Sequence, residues 1–327
     1  MSQRLSPDVF NLDTQAEIER IAARLREMVR ILRKRGLVVA ISGGVDSSVC
    51  AALAVKAVGP QKVFTLILPE HDSSSNSKRL AEQLAAQWGL QPHAVNIGPT
   101  LEAAGCYQWR DEAMRRVIPG YGPGWLSKIA IRGGMKGQFN HFHLIAQSPD
   151  GKTYDERMQL PEYLQIVAAT NFKQRTRKMV EYFHADRLNY AVAGTPNRLE
   201  YDQGFFVKNG DGAADVKPIA HLYKTQVYAL ARALNLPEEI RTARPTTDTY
   251  SLAQGQDEFY FALPYEQMDL ALWAHNHGVP VEELAAALNT TPERAKLVYE
   301  DIESKRRATE YLHRLPMLID EVPEIRH

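Results

Sequence analysis

Two cysteines, Cys50 and Cys106, are the only thiols in 327 residues. Two cannot build a disulfide framework, and no Cys-x-x-Cys or Cys/His spacing offers a zinc site. Reduced thiols fit the cytoplasm, the expected compartment. Net charge is also missing, because Lys plus Arg and Asp plus Glu are both 39. Without a global basic field there is no electrostatic footprint for nucleic acid. No window reaches the roughly 20 apolar residues of a membrane span. The opening Met1-Ser-Gln-Arg-Leu-Ser-Pro7 lacks the apolar core of a secretory signal. Neither a nucleic acid nor a membrane is therefore expected as a partner. Internal repeats and low-complexity segments are absent as well.

What the chain does have is enough apolar residue, 44%, to bury a substantial core. Residues 14–35 carry Ile18, Ile21, Ala22, Leu25, Met28, Val29 and Leu32 at helical spacing. Asp13 or Thr14 is placed to cap that helix, and Gly36 follows its end, where a left-handed cap is expected. The apolar, β-branched run 37–41 reads as a buried parallel strand, and 46–58 as a helix. Strand 63–68, helix 78–88 and strand 93–97 follow. A long helix over 162–186, a strand over 188–193 and an amphipathic helix within 218–234 continue the pattern. The expected fold is α/β, a doubly wound parallel sheet flanked by helices. Residues 1–327 read as one domain.

Residues 100–160 break the rhythm and read as an insertion. Pro119-Gly-Tyr-Gly-Pro-Gly124 is too rich in turn formers for a helix interior. Runs 139–147 and 152–158 flank Ser148-Pro-Asp-Gly151, a β-hairpin signature. The tail 264–315 reads as helical and as covering the sheet.

The chemical signal is strand, then Ser42-Gly43-Gly44-Val45-Asp46-Ser47-Ser48, then helix. Two glycines let a backbone turn sharply and present N–H groups to an anion. The helix that follows aims its positive end at the same point. Ser42, Ser47 and Ser48 supply hydroxyls. Asp46 is an anion beside a phosphate site, which makes sense with Mg²⁺ between the two. The loop is neither a Walker A sequence nor a GxGxxG fingerprint.

The SGGxDS pattern resembles the pyrophosphate loop of ATP-pyrophosphatases, which cleave ATP between the α and β phosphates. A second stretch selects the branch. It runs Gly194-Thr-Pro-Asn-Arg-Leu-Glu200, then Gly204 to Lys208, Gly210-Asp211-Gly212, Asp215, and Pro218-Ile219 to Leu222, Lys224-Thr225 and Val227. In order and spacing it is similar to the ammonia-dependent NAD synthase family, with GT-x-N-x-x-E, K-x-G-D-G-x-x-D and P-I-x-x-L-x-K-T-x-V. Thr170-Asn171 to Arg175-Thr-Arg177, Arg244-Pro245-Thr246 and Ser304-Lys305-Arg306 extend the likeness.

The resemblance implies an adenine nucleotide alpha hydrolase-like fold and a ligase reaction. The carboxylate of deamido-NAD attacks the α-phosphate of ATP, pyrophosphate leaves, and ammonia displaces AMP to give NAD. It implies Asp46, Glu200 and Lys224 as catalytic, with Asp46 and Glu200 as Mg²⁺ ligands. It implies ATP contacts at Ala40, Ile41, Ser42, Gly43, Gly44, Val45, Asp46, Ser47, Ser48, Thr195, Lys224 and Thr246. Deamido-NAD would meet Arg175, Lys208, Asp215, Ser304 and Lys305. A homodimer is implied as well.

Each residue also has a plainer reading. Lys173, Arg175, Arg177 and Lys178 on one helix would ordinarily form a solvated face. Lys224 in a first helical turn opposes the dipole, which favours a phosphate partner. Glu200 could be a surface carboxylate, Lys208 and Asp215 the flanks of a turn, and Ser304-Lys305-Arg306 the basic end of a helix. Three positions depart from the family pattern: Ala40 for glycine, Pro196, which removes a backbone N–H, and Ser304 for histidine. Ser304 and the 100–160 insertion motivate an alternative, a related ligase adenylating another carboxylate. A catalytically silent nucleotide-binding protein is the third reading, and Asp46, Glu200 and Lys224 together argue against it. No glutaminase signature surrounds Cys106, so free ammonia or a separate ammonia-supplying partner is implied.

Overall fold

The computed structural model describes residues 5–132, 141–243, 250–252, 255, 260–261 and 263–325. Helix α1 (Thr14–Ile31) starts at Asp13, whose carboxylate accepts from the Gln15 and Ala16 amides. Its buried face is the expected Ile18, Ile21, Ala22, Leu25 and Val29. The left-handed residue at its end is Arg33, at φ 54°. The expected role of Gly36 as that cap is therefore corrected. A Cβ on Gly36 would lie 2.3 Å from the Lys62 carbonyl oxygen and 2.7 Å from the Tyr190 ring. Close approach requires the glycine there.

Strands β1 (Leu37–Ala40), β2 (Val63–Ile67), β3 (His93–Ala94) and β7 (Ala191–Val192) form a parallel sheet in the order β3-β2-β1-β7. Side chains alternate across β1. Leu37, Val39 and Ile41 pack with α1, α2 (Val45–Val58) and α8 (Lys224–Ala233). Val38 packs on the other face with α6 (Leu160–Leu188), through Ala169 and Ala185. Helix α2 is buried on nearly every side. β7 is shorter than expected because α6 runs to Leu188 and ends on Asn189, in left-handed conformation at φ 54°.

Between β2 and β3 lies α3 (Ser75–Gln87). The stretch 100–160 holds most of α4 (Gly98–Ala103) and all of α5 (Cys106–Val117), and α5 packs along α6. It then forms an antiparallel sheet of β4 (Leu126–Arg132), β5 (His141–Gln147) and β6 (Thr153–Arg157). The β5–β6 pair is the expected hairpin; β4 adds a third strand.

Past β7 come α7 (Arg198–Asp202), α8 and α9 (Glu238–Thr242). The tail forms α10 (Tyr265–Asn276), α11 (Val281–Ala287) and α12 (Pro292–His313). This layer does not cover the sheet as expected. Its core contains Leu5, Phe10, Leu199, Met268, Leu272 and Ile302 and no strand residue. It packs instead on α7 and α8, whose outer faces would otherwise be bare. The plainer reading of the basic run on α6, a solvated face, fails for two of its members. Lys173 and Lys178 are buried, at 1% and 5% exposure, rather than solvated. Each meets a carboxylate, Lys173 with Glu70 and Asp72, and Lys178 with Glu181.

Candidate active site

In an open parallel sheet, ligands bind outside the carboxyl ends of the strands, where the strand order reverses. Here β2 lies on one side of β1 and β7 on the other. The crevice therefore opens beyond Ala40 and Val192. The loop after Ala40 is stitched from within. The Ser42 amide donates to Ser47 Oγ at 3.2 Å, and the Gly44 amide to Ser42 Oγ at 3.3 Å. Ser47 and Ser48 are buried, and their hydroxyls donate to the Gly44 carbonyl at 3.1 and 2.8 Å. They brace the loop from beneath, while Ser42 and Gly44 stay exposed. Gly43 has φ +81°, and a Cβ there would lie 2.5 Å from the Ser77 carbonyl oxygen. Only glycine meets both demands.

Asp46, in the first turn of α2, is reached from two directions. Lys224 Nζ donates to its Oδ2. Asn197 Nδ2 donates to its Oδ1 at 3.2 Å. Asn197 and Glu200 form a capping box on α7, with the Asn197 amide on Glu200 Oε2 at 3.2 Å and the Glu200 amide on Asn197 Oδ1 at 3.1 Å. Asp46, Asn197, Glu200 and Lys224 thus converge at the reversal of strand order. Burial works against the Lys224 charge, but Asp46 and Glu200 outweigh it and raise its pKa, so it stays an ammonium ion. Its partner within the chain is the Asp46 carboxylate. Burial, reinforced by Asp46 and Glu200, pushes the Cys50 thiol up.

Two residues here were given no role by their sequence context. Asn197 lies inside the motif and bridges the two carboxylates. Asp269, fully buried on α10, accepts from the Lys224 amide at 3.3 Å, the Thr225 amide at 2.7 Å and Thr225 Oγ1 at 2.8 Å. It caps the helix that carries Lys224. Its signal was a lone acid among apolar neighbours, Met268-Asp269-Leu270-Ala271-Leu272.

The remaining residues fall in three places. Thr195 is half-buried between β7 and α7, and Thr246 lies outside the described residues. Arg175 Nε donates to the Lys208 carbonyl at 3.1 Å. Lys208 Nζ donates to the carbonyls of Tyr311 and Arg314 at 2.8 and 3.2 Å. Arg175 also lines a cleft of about 290 Å³ with Lys178, Met179, Tyr182, Asn209 and Ala213. Asp215 accepts from the Val192 amide at 2.7 Å and from Tyr182 at 3.5 Å. Lys305, on α12, pairs with Asp301 at 2.5 Å and lies 4.9 Å from the Tyr260 ring, with Ser304 exposed beside it.

A glycine-bent loop that opens a helix at the reversal of a parallel sheet defines an adenine-nucleotide-binding protein of the PP-loop fold. The model of the family described as NAD synthase matches residues 17–117 and 141–316, and the chain belongs to that family. It is 58% identical over 321 residues to the NH(3)-dependent NAD(+) synthetase of Rhizobium meliloti (strain 1021), covering 98% of this chain and 96% of that one. It is 55% identical over 320 residues to the protein of the same name from Rhizobium rhizogenes (strain K84 / ATCC BAA-868), covering 97% and 96%. The structure of NMN synthetase from Francisella tularensis superposes with a TM-score of 0.67 at 22% identity, covering 95% of this chain and 100% of that one. At that identity the likeness speaks for the fold.

Proposed function

We infer that this protein forms NAD from deamido-NAD, ATP and ammonia, through an adenylated carboxylate. The observation that carries the reading is the meeting of Asp46, Asn197, Glu200 and Lys224 beside the 42–48 loop. Two anionic substrates must approach each other, and negative charge builds on the α-phosphate as pyrophosphate leaves. A fixed ammonium and aligned backbone N–H groups are the means to stabilise that charge. Residues 40–48, Thr195, Lys224 and Thr246 are proposed to hold ATP. Arg175, Lys208, Asp215, Ser304 and Lys305 are proposed to hold deamido-NAD. The cleft beside Arg175 supports this for the first of them.

Asp46 and Glu200 are oxygen donors, the class Mg²⁺ takes. Among the described residues no group of three His, Cys, Asp or Glu side chains could hold a metal. Mg²⁺ is ordinarily held by one or two carboxylates, with phosphate oxygens and water in its remaining positions. When bound, it would neutralise phosphate charge; Asp46 and Glu200 would be its protein ligands. With Asp46 so engaged, Lys224 would be released toward the phosphates.

The protein is proposed to act as a homodimer. Leu160, Leu164, Met179 and Phe183 lie exposed along α6, at 64%, 53%, 59% and 62%. They form two i, i+4 pairs, Leu160 with Leu164 and Met179 with Phe183, at opposite ends of the helix. Exposed apolar pairs of this kind suit a contact surface, and a two-fold dimer would cover them. Two free, buried thiols accord with a cytoplasmic enzyme.

The test is purified protein with Mg-ATP, ammonium and deamido-NAD, following pyrophosphate, AMP and NAD in equal amounts. A parallel reaction offers nicotinate mononucleotide instead. Turnover only with an acid other than deamido-NAD would move the conclusion to a different acceptor. No ATP cleavage with any acid would overturn it.

A further inference from the structure

Beyond β2 lies a buried cluster of charges outside the Asp46 site. Glu70 is fully buried, with 0% side-chain exposure, and Lys173 has 2%. Lys173 Nζ donates to Glu70 Oε1 at 3.2 Å and to Asp72 Oδ2. Tyr107 OH donates to Glu70 Oε2 at 2.8 Å, and Arg110 Nη1 to Asp72 Oδ2 at 2.6 Å. Arg177 Nε donates to the Leu68 carbonyl at 3.2 Å. The cations stand on α5 and α6; both carboxylates stand on loop 68–74.

The position of that loop gives the cluster its meaning. It is the carboxyl-end loop of β2, the strand that pairs with β1. The Ile41 amide donates to Leu66 O at 2.8 Å, so the phosphate loop and loop 68–74 leave the sheet side by side. Loop 68–74 runs into α3, and the carbonyl of Ser77, on the first turn of α3, lies 2.5 Å from where a Cβ on Gly43 would stand. The chain thus forms a strut. It is pinned at one end by Lys173 and Arg177 and bears at the other on the glycine that bends the phosphate loop. Burying so many charges is a poor way to gain stability, since apolar replacements of such clusters are often as stable or more so. What the charges do supply is a fixed geometry.

We propose that Lys173 and Arg177 are positioning residues for nucleotide binding. Through Glu70, Asp72 and the Leu68 carbonyl they set loop 68–74 and the start of α3 against Gly43. Neither touches the reacting atoms. The inference rests on the ligase reading only in taking loop 42–48 as the site of ATP.

Three variants test it: Lys173→Met, the neutral triple Lys173→Met/Glu70→Gln/Asp72→Asn, and Arg177→Met. The readouts are melting temperature, the Kd of Mg-ATP by calorimetry, and KM for ATP and for ammonium. Lys173→Met leaves two buried carboxylates short of a cation and should lower the melting temperature. The triple variant removes all three charges and should recover it. A loop misplaced by about 1 Å should weaken ATP binding about tenfold in the triple variant and in Arg177→Met, with KM for ammonium changed by less than about twofold. Recovery of both melting temperature and ATP affinity in the triple variant would overturn the proposal and leave the cluster a matter of stability. So would wild-type ATP affinity in Arg177→Met, which decides the matter alone if the others do not fold. Wild-type protein that binds Mg-ATP but makes no NAD would refute the ligase reading and leave this inference standing.

Discussion

Lys224, the first residue of α8, donates its ammonium to Asp46 in the first turn of α2. Each group is placed against or with its helix dipole by chain position alone, and each answers the other. Asp46 lies where an anion is favoured, and Lys224 where a cation is not. The pair therefore offsets a local electrostatic cost at Lys224 while keeping a charged group in the crevice.

Asp46→Asn should remove turnover and keep the fold at some cost in stability, because the amide retains one oxygen for Lys224 or Asn197 but not both, and leaves the buried ammonium without its counter-charge. Lys224→Met should do both kinds of harm. Stripping one partner from a buried pair costs about 3 kcal/mol or more. Losing a fixed cation at the developing charge costs at least about 100-fold in kcat. Thermal melts and NAD formation measured on the same samples check this. Near-normal activity in Asp46→Asn would refute the metal assignment. Chelation with EDTA should stop turnover without unfolding the protein.

Gly43→Ala and Gly44→Ala should behave differently. At Gly43 the substitution meets φ +81° and the Ser77 carbonyl 2.5 Å away, so strain of about 1–3 kcal/mol is passed to the phosphate loop. Gly44 has φ −79° and a nearest neighbour, Ser42 Oγ, at 3.4 Å. KM for ATP should rise about tenfold in the first variant and change little in the second. Equal effects would mean the close approach of α3 does not matter.

Asp269 makes stability depend on pH. Burial outweighs its hydrogen bonds to Thr225 and Lys224 and raises its pKa from 3.8 to about 7. Between those values the folded protein holds a proton that the unfolded chain releases. Stability from this group is therefore present below about pH 4 and lost as pH rises toward 7, on the order of a few kcal/mol in all. Denaturant melts across that range should show the decline in the wild type. Asp269→Asn should flatten it, whatever its absolute stability. An unchanged slope would show that Asp269 is not its source.

The exposed apolar pairs on α6 predict an oligomer that a single charge can break. Phe183→Glu should shift the protein from dimer to monomer in light scattering. An unaltered mass would place the contact elsewhere. Loss of the dimer with unchanged KM for deamido-NAD would separate assembly from the acceptor site.

The alternation of strand and helix, the phosphate loop and the buried face of α1 were legible because each is a local pattern with its own period or its own glycine demand. The motifs around residues 194–227 were legible because they resemble the NAD synthase family in residue identity, order and spacing over a contiguous stretch. Gly36 was misread because a left-handed cap and a close approach both call for glycine, and only Tyr190 and Lys62, distant in sequence, distinguish the two. The burial of Lys173 and Lys178 was not legible because a basic run carries no mark of which carboxylates will fold onto it.

By itself, the sequence determined the order of elements, the glycine-bent loop between β1 and α2 and the family to which the chain belongs. Those features depend on near neighbours along the chain. Tertiary structure alone decided that Lys224 answers Asp46, that Asn197 joins Asp46 to Glu200, that Asp269 caps α8 and that Lys173 holds Glu70. Such pairings join residues tens to nearly two hundred positions apart, and packing sets their distances; composition and periodicity do not encode them.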